Sequence, residues 1–160
     1  MTIWEIIDPY FTKDENWGDP DRMNGFLLFV MSALRQEIHC QFVVHFGTQG
    51  NHTDESQHYL GNADDGHFIT DMPFYDQIIR VEEVLADLQV ADRVGLGIYP
   101  AWSNPGFHID VRGNCARWGW IGELKPDGSK EYCSYRDAKL FALSQKHNPE
   151  WTYEMIRGTL

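Results

Sequence analysis

The chain has 160 residues, with 24 acidic against 13 basic side chains and a formal net charge of -11. This length suits a single domain spanning residues 1–160, and a hydrophobic fraction of 42% supplies its core. The acidic excess disfavours a nucleic-acid partner, and no apolar run reaches the roughly 18 residues that a membrane span needs.

The first half of the chain predicts one helix, one strand and one long loop. Residues 1–14 lack the charged head and apolar core of a signal peptide, so we expect a protein that is cytoplasmic as synthesised. A helix is predicted from Asp19 and Pro20 to Ile38, because Asp19 can cap it and Pro20 suits its first turn. A buried strand is predicted over residues 41–47. The polar segment 48–65 has no period and is predicted to be a functional loop.

The second half predicts the remaining helices and strands. We expect a helix over residues 74–91, strands over 93–99, 107–112 and 116–124, a helix over 134–146, and another helix from 148 to 158. Within the third of these strands, Trp118 and Trp120 are most simply placed on one core face. The order of elements predicts an α+β fold: a small antiparallel sheet flanked by helices, with a helical C-terminal tail.

The strand over residues 107–112 concentrates ionisable groups on one face. Side chains alternate between the two faces of a strand, so the apolar residues point into the core. The opposite face then carries His108, Asp110 and Arg112 together. Three ionisable side chains on one face are costly unless something binds there.

Three residues have the chemistry of a zinc site. Two histidines and one carboxylate are a common ligand set for a hydrolytic zinc, which keeps one position open for water. His58, Asp65 and His108 would supply that set. The residues alone also fit a different interpretation, in which His58 and Asp65 are loop polar groups and His108 is a hydrogen-bonded strand histidine.

The loop contains a motif of five spaced residues. The pattern Ser56-x-His58-x-x-Gly61-x-Ala63-x-Asp65 resembles the signature of the zinc D-alanyl-D-alanine carboxypeptidase family. That family includes peptidoglycan carboxypeptidases, resistance dipeptidases, several phage endolysins and the metal-binding lobe of hedgehog proteins.

The sequence His108-Ile109-Asp110 resembles the second motif of the same family, and the resemblance extends from about Tyr10 to about Trp120. It implies a hedgehog-like fold, zinc held by His58, Asp65 and His108, and cleavage of peptide bonds in peptidoglycan, with a peptidoglycan peptide or fragment as partner. Small members without a signal peptide are commonly phage proteins, which reach the wall by lysis or injection.

The resemblance implies that Ser56 lies beside the metal, and the residues around this site each have two candidate roles. Ser56 either binds the substrate carbonyl or carboxylate, or caps a turn. Tyr99 and Trp102 either wall a peptide cleft or pack within the fold. Arg112 either meets an anionic substrate or forms an ion pair with Asp110.

The chain departs from the family pattern at two places. Many members carry an Arg before the loop, where residues 45–49 of this chain have none, so recognition of a terminal carboxylate is in doubt. Several members also carry an acid at the position of Pro105, as the base that takes the proton from the zinc water. Asp110 is our candidate for that base, and its alternative role is to orient a zinc histidine. Asp64 is a weaker candidate.

Three hypotheses follow for function. The first is a zinc peptidase acting on peptidoglycan. The second is a zinc-binding structural or binding module of the same fold that has lost catalysis, and the third is a hydrolase of another small peptide or amide. A net charge of -11 disfavours tight docking on the anionic cell wall, so the substrate would be a soluble fragment or a partner would deliver the protein. The sequence makes no prediction of oligomeric state.

Overall fold

The computed structural model describes residues 1–50, 55–152 and 155. Within these residues the fold is α+β, with four α-helices and a six-stranded sheet. The helices are α1 (Ile3–Ile7), α2 (Gly25–Ile38), α3 (Phe74–Asp87) and α4 (Tyr135–His147), with a 3-10 turn at Pro20–Arg22. The strands are β1 (Phe42–Phe46), β2 (Ala63–Phe68), β3 (Gly95–Tyr99), β4 (Gly106–Asp110), β5 (Arg117–Gly119) and β6 (Cys133–Ser134).

The strand order is β1-β2-β4-β3-β5-β6, and the sheet is mixed. The prediction of a purely antiparallel sheet is wrong for one pair, because β5 runs parallel to β3. The reason lies in the occupancy of β4, whose two edges are already taken by β2 and β3. The next strand, β5, therefore pairs with the free edge of β3. It runs in the same direction as β3 and opposite to β4.

The start of the second helix differs from its prediction. Asp19 does cap, but it accepts from the amide of Asp21 at the start of the 3-10 turn. Helix α2 begins later, at Gly25, where the side chain of Asn24 accepts from the amide of Phe26 at 2.8 Å. The helices predicted from residues 74 and 134 are confirmed as α3 and α4, and α3 ends at Asp87 rather than Ala91.

Strand β2 is not predicted by the sequence, and its first three residues lie within the predicted loop over residues 48–65. Its residues, Ala-Asp-Asp-Gly-His-Phe, lack the β-branched side chains that mark a buried strand, and it forms because β1 and β4 pair with it on both sides. The tail helix predicted from residue 148 is absent over residues 148–152, and most of its remaining length lies outside the described residues.

One core joins the sheet to the helices. Alternate residues of the central strands, Leu96 and Ile98 on β3 and Phe107 and Ile109 on β4, are completely buried among helix side chains. The residues between them point to the opposite face, as predicted for β4, and that face carries the candidate site. No helix among the described residues is long and apolar enough to span a membrane.

Candidate metal centre

The structure brings His58, Asp65 and His108 together. Asp65 on β2 and His108 on β4 are direct partners across the two strands, and His58 lies in the turn that precedes β2. The Nδ1 atom of His108 is 2.8 Å from Oδ1 of Asp65 and 3.2 Å from Nε2 of His58. One ligand atom from each residue lies within 4.8 Å of the others, so this buried cluster could hold a metal ion.

The hydrogen bonds on the far sides of the two imidazoles fix which nitrogens face the cluster. Nδ1 of His58 contacts the carbonyl oxygen of Gly47 at 2.8 Å, and a carbonyl can only accept, so this nitrogen carries the proton. Nε2 of His108 contacts the carboxylate of Asp110 at 2.9 Å and donates in the same way. In the neutral rings, two nitrogen lone pairs then converge with the carboxylate of Asp65.

A metal ion bound between these three acceptors would satisfy all of them at once. The donor atoms of the three residues are therefore of the kind, and in the arrangement, that can hold a metal ion. Two imidazoles and one carboxylate are a ligand set typical of zinc, with hydrogen-bonded outer nitrogens that hold each ring in orientation.

The pKa values of the cluster reflect the same contacts. Burial would raise the pKa of Asp65, but hydrogen bonds from His108 and His58 hold it far below its usual range. Burial would lower the pKa of His108, but its hydrogen bonds to Asp110 and Asp65 raise it. The carboxylate of Asp65 thus stays charged and would give a bound cation one negative ligand.

Asp110 lies behind His108, on the side away from His58 and Asp65. It is completely buried, and its carboxylate accepts from Nε2 of His108 and from Nε of Arg112, which lies 2.8 Å from Oδ1 and 2.9 Å from Oδ2. Burial would raise the pKa of Asp110, but these partners keep it far below the usual range. Gly95, opposite on β3, makes room for it, since a Cβ there would lie 2.5 Å from Oδ1 of Asp110.

Trp118 lies against the metal cluster and not in the core, which corrects the prediction for this residue. Its ring packs against His108 with centroids 5.0 Å apart, and its Nε1 donates to the hydroxyl of Tyr99 at 3.1 Å. The indole occupies the space above Gly97, where a Cβ would lie 2.7 Å from Cε2 of Trp118. Trp120 is also only partly buried.

A cleft of about 770 Å³ opens over the cluster. Its lining includes the aromatic residues Tyr99, Trp102, Trp118 and Tyr132, together with residues of the hairpin over 124–130. The rings of Tyr99 and Trp102 lie 4.4 Å apart, centroid to centroid. Both residues line the cleft, and Tyr99 is also buried within the fold, so contact with a peptide stays a prediction for them.

The other residues proposed from the sequence occupy different positions. Ser56 lines the cleft, and its hydroxyl also accepts from the amide of His58 at 3.3 Å, so it is placed for both of its suggested roles. Arg112 packs against Asp110 and over Trp118, with its guanidinium carbon 5.2 Å from the ring centroid. Asp64 points to the core face of β2, away from the cleft.

Several lining residues did not emerge from the sequence: Trp118, Lys125, Ser129, Lys130 and Tyr132. The available signal was the run Lys125-Pro126-Asp127-Gly128, which has the composition of a tight turn and could have predicted the hairpin. Nothing in the run indicates which surface the hairpin covers.

No family model, curated protein or solved structure matches this chain. The resemblance to the zinc D-alanyl-D-alanine carboxypeptidase family therefore depends on the two motifs and on the order of the segments around them.

Proposed function

We propose that this protein is a zinc-dependent hydrolase. The observation that carries the proposal is the position of three ligand residues at the floor of an open cleft. Structural zinc sites are usually closed by four protein ligands, whereas catalytic sites keep one position for water or substrate. When bound here, zinc would supply a water of lowered pKa and a Lewis acid for the carbonyl under attack.

More particularly, we propose a peptidase of the D,D-carboxypeptidase or endopeptidase type, acting on peptidoglycan peptides. The two motifs support this assignment, and so does the cleft volume, which is within the range of small-ligand sites. A cleft of this size accommodates a few residues of an extended peptide. The net charge of -11 favours soluble fragments over intact anionic wall.

The surrounding residues suit supporting roles in this reaction. Asp110 acts as a positioning residue, because its carboxylate holds the outer nitrogen of His108 and lies outside the cleft lining. The hydroxyl of Tyr99 accepts from Trp118, which leaves its own proton for a substrate carbonyl oxygen. Burial raises the pKa of Tyr99 well above its ordinary value, so this donor stays protonated.

A second candidate is a zinc-binding module without catalysis. One observation favours it: among the described residues that line the cleft, Asp65 is the only carboxylate. A hydrolase of this type needs a base within reach of the water, and Asp110 is enclosed by His108 and Arg112.

Digestion of soluble peptidoglycan fragments separates the two candidates. Purified zinc-loaded protein is incubated with stem peptides that end in D-alanyl-D-alanine and with cross-linked dimers, and products are identified by mass spectrometry. We expect a mass loss of one residue or a cut cross-bridge. A chelator and His58→Ala should abolish this product, and the control His147→Ala, at the exposed end of α4, should not. Intact substrates beside fully loaded protein would favour the non-catalytic module.

A further inference from the structure

A lysine lies on the cleft wall in contact with three aromatic rings. Nζ of Lys130 is 5.4 Å from the ring centroid of Tyr99, 5.3 Å from that of Trp102 and 5.4 Å from that of Trp120. Lys130 also lines the same cleft as the metal cluster. Three ring faces stabilise an ammonium and restrict where its stem can go.

The backbone around Lys130 is held by a hairpin. Leu124 pairs with Lys130, the amide of Lys125 donates to the carbonyl of Ser129 at 2.8 Å, and the amide of Gly128 donates to the carbonyl of Lys125 at 2.9 Å. Gly128 adopts a φ of +83°, a conformation that suits glycine at this turn. The lysine is thus presented to the cleft by a defined turn.

Lys130 forms no ion pair within the part of the chain that the structure describes. Other lysines of this acidic protein do: Lys139 pairs with Glu82 at 2.6 Å, and Lys146 pairs with Asp76 at 2.7 Å. Aromatic ring faces are weaker partners for N–H donors than a charged oxygen is, so the ammonium of Lys130 can still donate to a carboxylate in the cleft. Exposed Lys125 lines the same cleft and adds a second positive charge.

We propose that Lys130, assisted by Lys125, binds a carboxylate of the substrate peptide in this cleft. The inference rests on the proposed peptidase function and names the group that its substrate must carry. Lys130 would also supply the cation that is missing before the loop, where residues 45–49 contain no Arg. His45, at the start of that region, instead contacts His67 at 2.7 Å.

The carboxylate has two chemical sources, a free C-terminus or an acidic side chain. Matched peptides distinguish them: one pair differs only by a C-terminal acid or amide, and a second pair, amidated at the C-terminus, differs only by an internal Glu or Gln. Binding to zinc-loaded protein is recorded by stopped-flow tryptophan fluorescence before turnover. Trp102 and Trp120 flank Lys130 and serve as reporters.

We expect wild-type protein to prefer the acid member of at least one pair by roughly tenfold, the size of one charge-assisted hydrogen bond. Lys130→Gln should bring that ratio close to one, and Lys130→Arg should restore most of it. The matched control is Lys146→Gln, which removes a lysine from above the ring of Tyr75, outside the cleft, and should leave the ratio unchanged.

The outcomes separate this inference from the proposed function. Equal binding of acid and amide by wild-type protein, an absence of binding, or an acid preference that survives Lys130→Gln overturns the carboxylate site. An acid preference that depends on Lys130 supports the site whether or not the peptide is cut. Failure of wild-type protein to cut any peptide that it binds in this way overturns the peptidase and leaves the carboxylate site standing.

Discussion

Asp64 and Asp65 are neighbours in the chain, yet they lie on opposite faces of β2 and in opposite environments. Asp65 faces the cleft and meets two histidines, which hold its pKa far below the usual range. Asp64 faces the core, is completely buried, and has no hydrogen-bond partner for either oxygen among the described residues. Burial raises the pKa of Asp64 well above its ordinary value.

The difference shows that partners, and not burial, decide what a carboxylate does in this fold. On the cleft face, every charged group of the cluster has a partner that fixes its orientation. On the core face, the apolar side chains of the strands pack with the helices. A carboxylate buried there without a partner lowers the stability of the fold. The variants below test this contrast in order of expected effect.

The largest effect is expected for the cleft-facing member of the pair. Asp65→Asn removes the only negative ligand, and we expect zinc affinity to fall by at least roughly 100-fold, since the loss of a ligand's hydrogen-bond partner alone costs 10–100-fold. Competition with a chromophoric chelator measures this loss. The control is Asp64→Asn, with affinity within about threefold of wild type, and equal losses in the two variants would erase the contrast between the faces.

A smaller loss is expected when the support of His108 is weakened. Asp110→Asn keeps the shape of the carboxylate but removes its charge, so zinc affinity should fall by roughly 10–100-fold. At saturating zinc, peptide cleavage should be largely retained, because Asp110 positions His108. Asp92→Asn, at an exposed carboxylate outside the cleft lining, is the control. If Asp110→Asn abolished cleavage with zinc fully bound, Asp110 would be the base and not a positioning residue.

The glycines of β3 test the packing of the cleft wall. In Gly97→Ala the new Cβ meets the indole of Trp118, and we expect a loss of about 1–3 kcal/mol in the free energy of unfolding. Urea denaturation measures this change. Gly25→Ala is the matched control, since its Cβ would meet only Ile3 at 3.8 Å, and a loss of the same size there would argue against the packing explanation.

The smallest expected effect is a gain. Asp64→Leu replaces an unpartnered buried carboxyl with an apolar side chain of similar size, and we expect the free energy of unfolding at pH 7 to rise by about 1 kcal/mol. Urea denaturation in the presence of a chelator measures this change in the free energy of unfolding without a contribution from metal binding. A clear loss of stability would show that Asp64 has a favourable role in the core.

Periodic apolar patterns predicted much of this fold. Helices α3 and α4 and strands β1, β3 and β4 lie where those patterns place them, because their side chains pack against one core. The grouping of His58, Asp65 and His108 could be predicted from two short motifs, and the shared face of His108 and Asp110 from strand alternation.

The elements that sequence reasoning missed are those fixed by tertiary contacts. Strand β2 lacks the pattern of a buried strand because Asp65 belongs to the site, Asp64 is an acid on the core face, and Gly66 leaves room for the ring of Phe42. Trp118 lies on the cleft face and not in the core, because Gly97 has no side chain and leaves space there for the indole ring. Lys130 lines the cleft because it belongs to a hairpin. The sequence indicates the turn of this hairpin but not the surface against which the hairpin packs.

Metal content tests the central claim most directly. Wild-type protein and His58→Ala are incubated with zinc, dialysed and measured by mass spectrometry of the metal, with circular dichroism to establish folding. We predict close to one zinc ion per wild-type chain and a large loss in the folded variant. A folded wild-type protein that retains no zinc, or a His58→Ala variant that retains it fully, would contradict the assignment of His58, Asp65 and His108 as a metal centre.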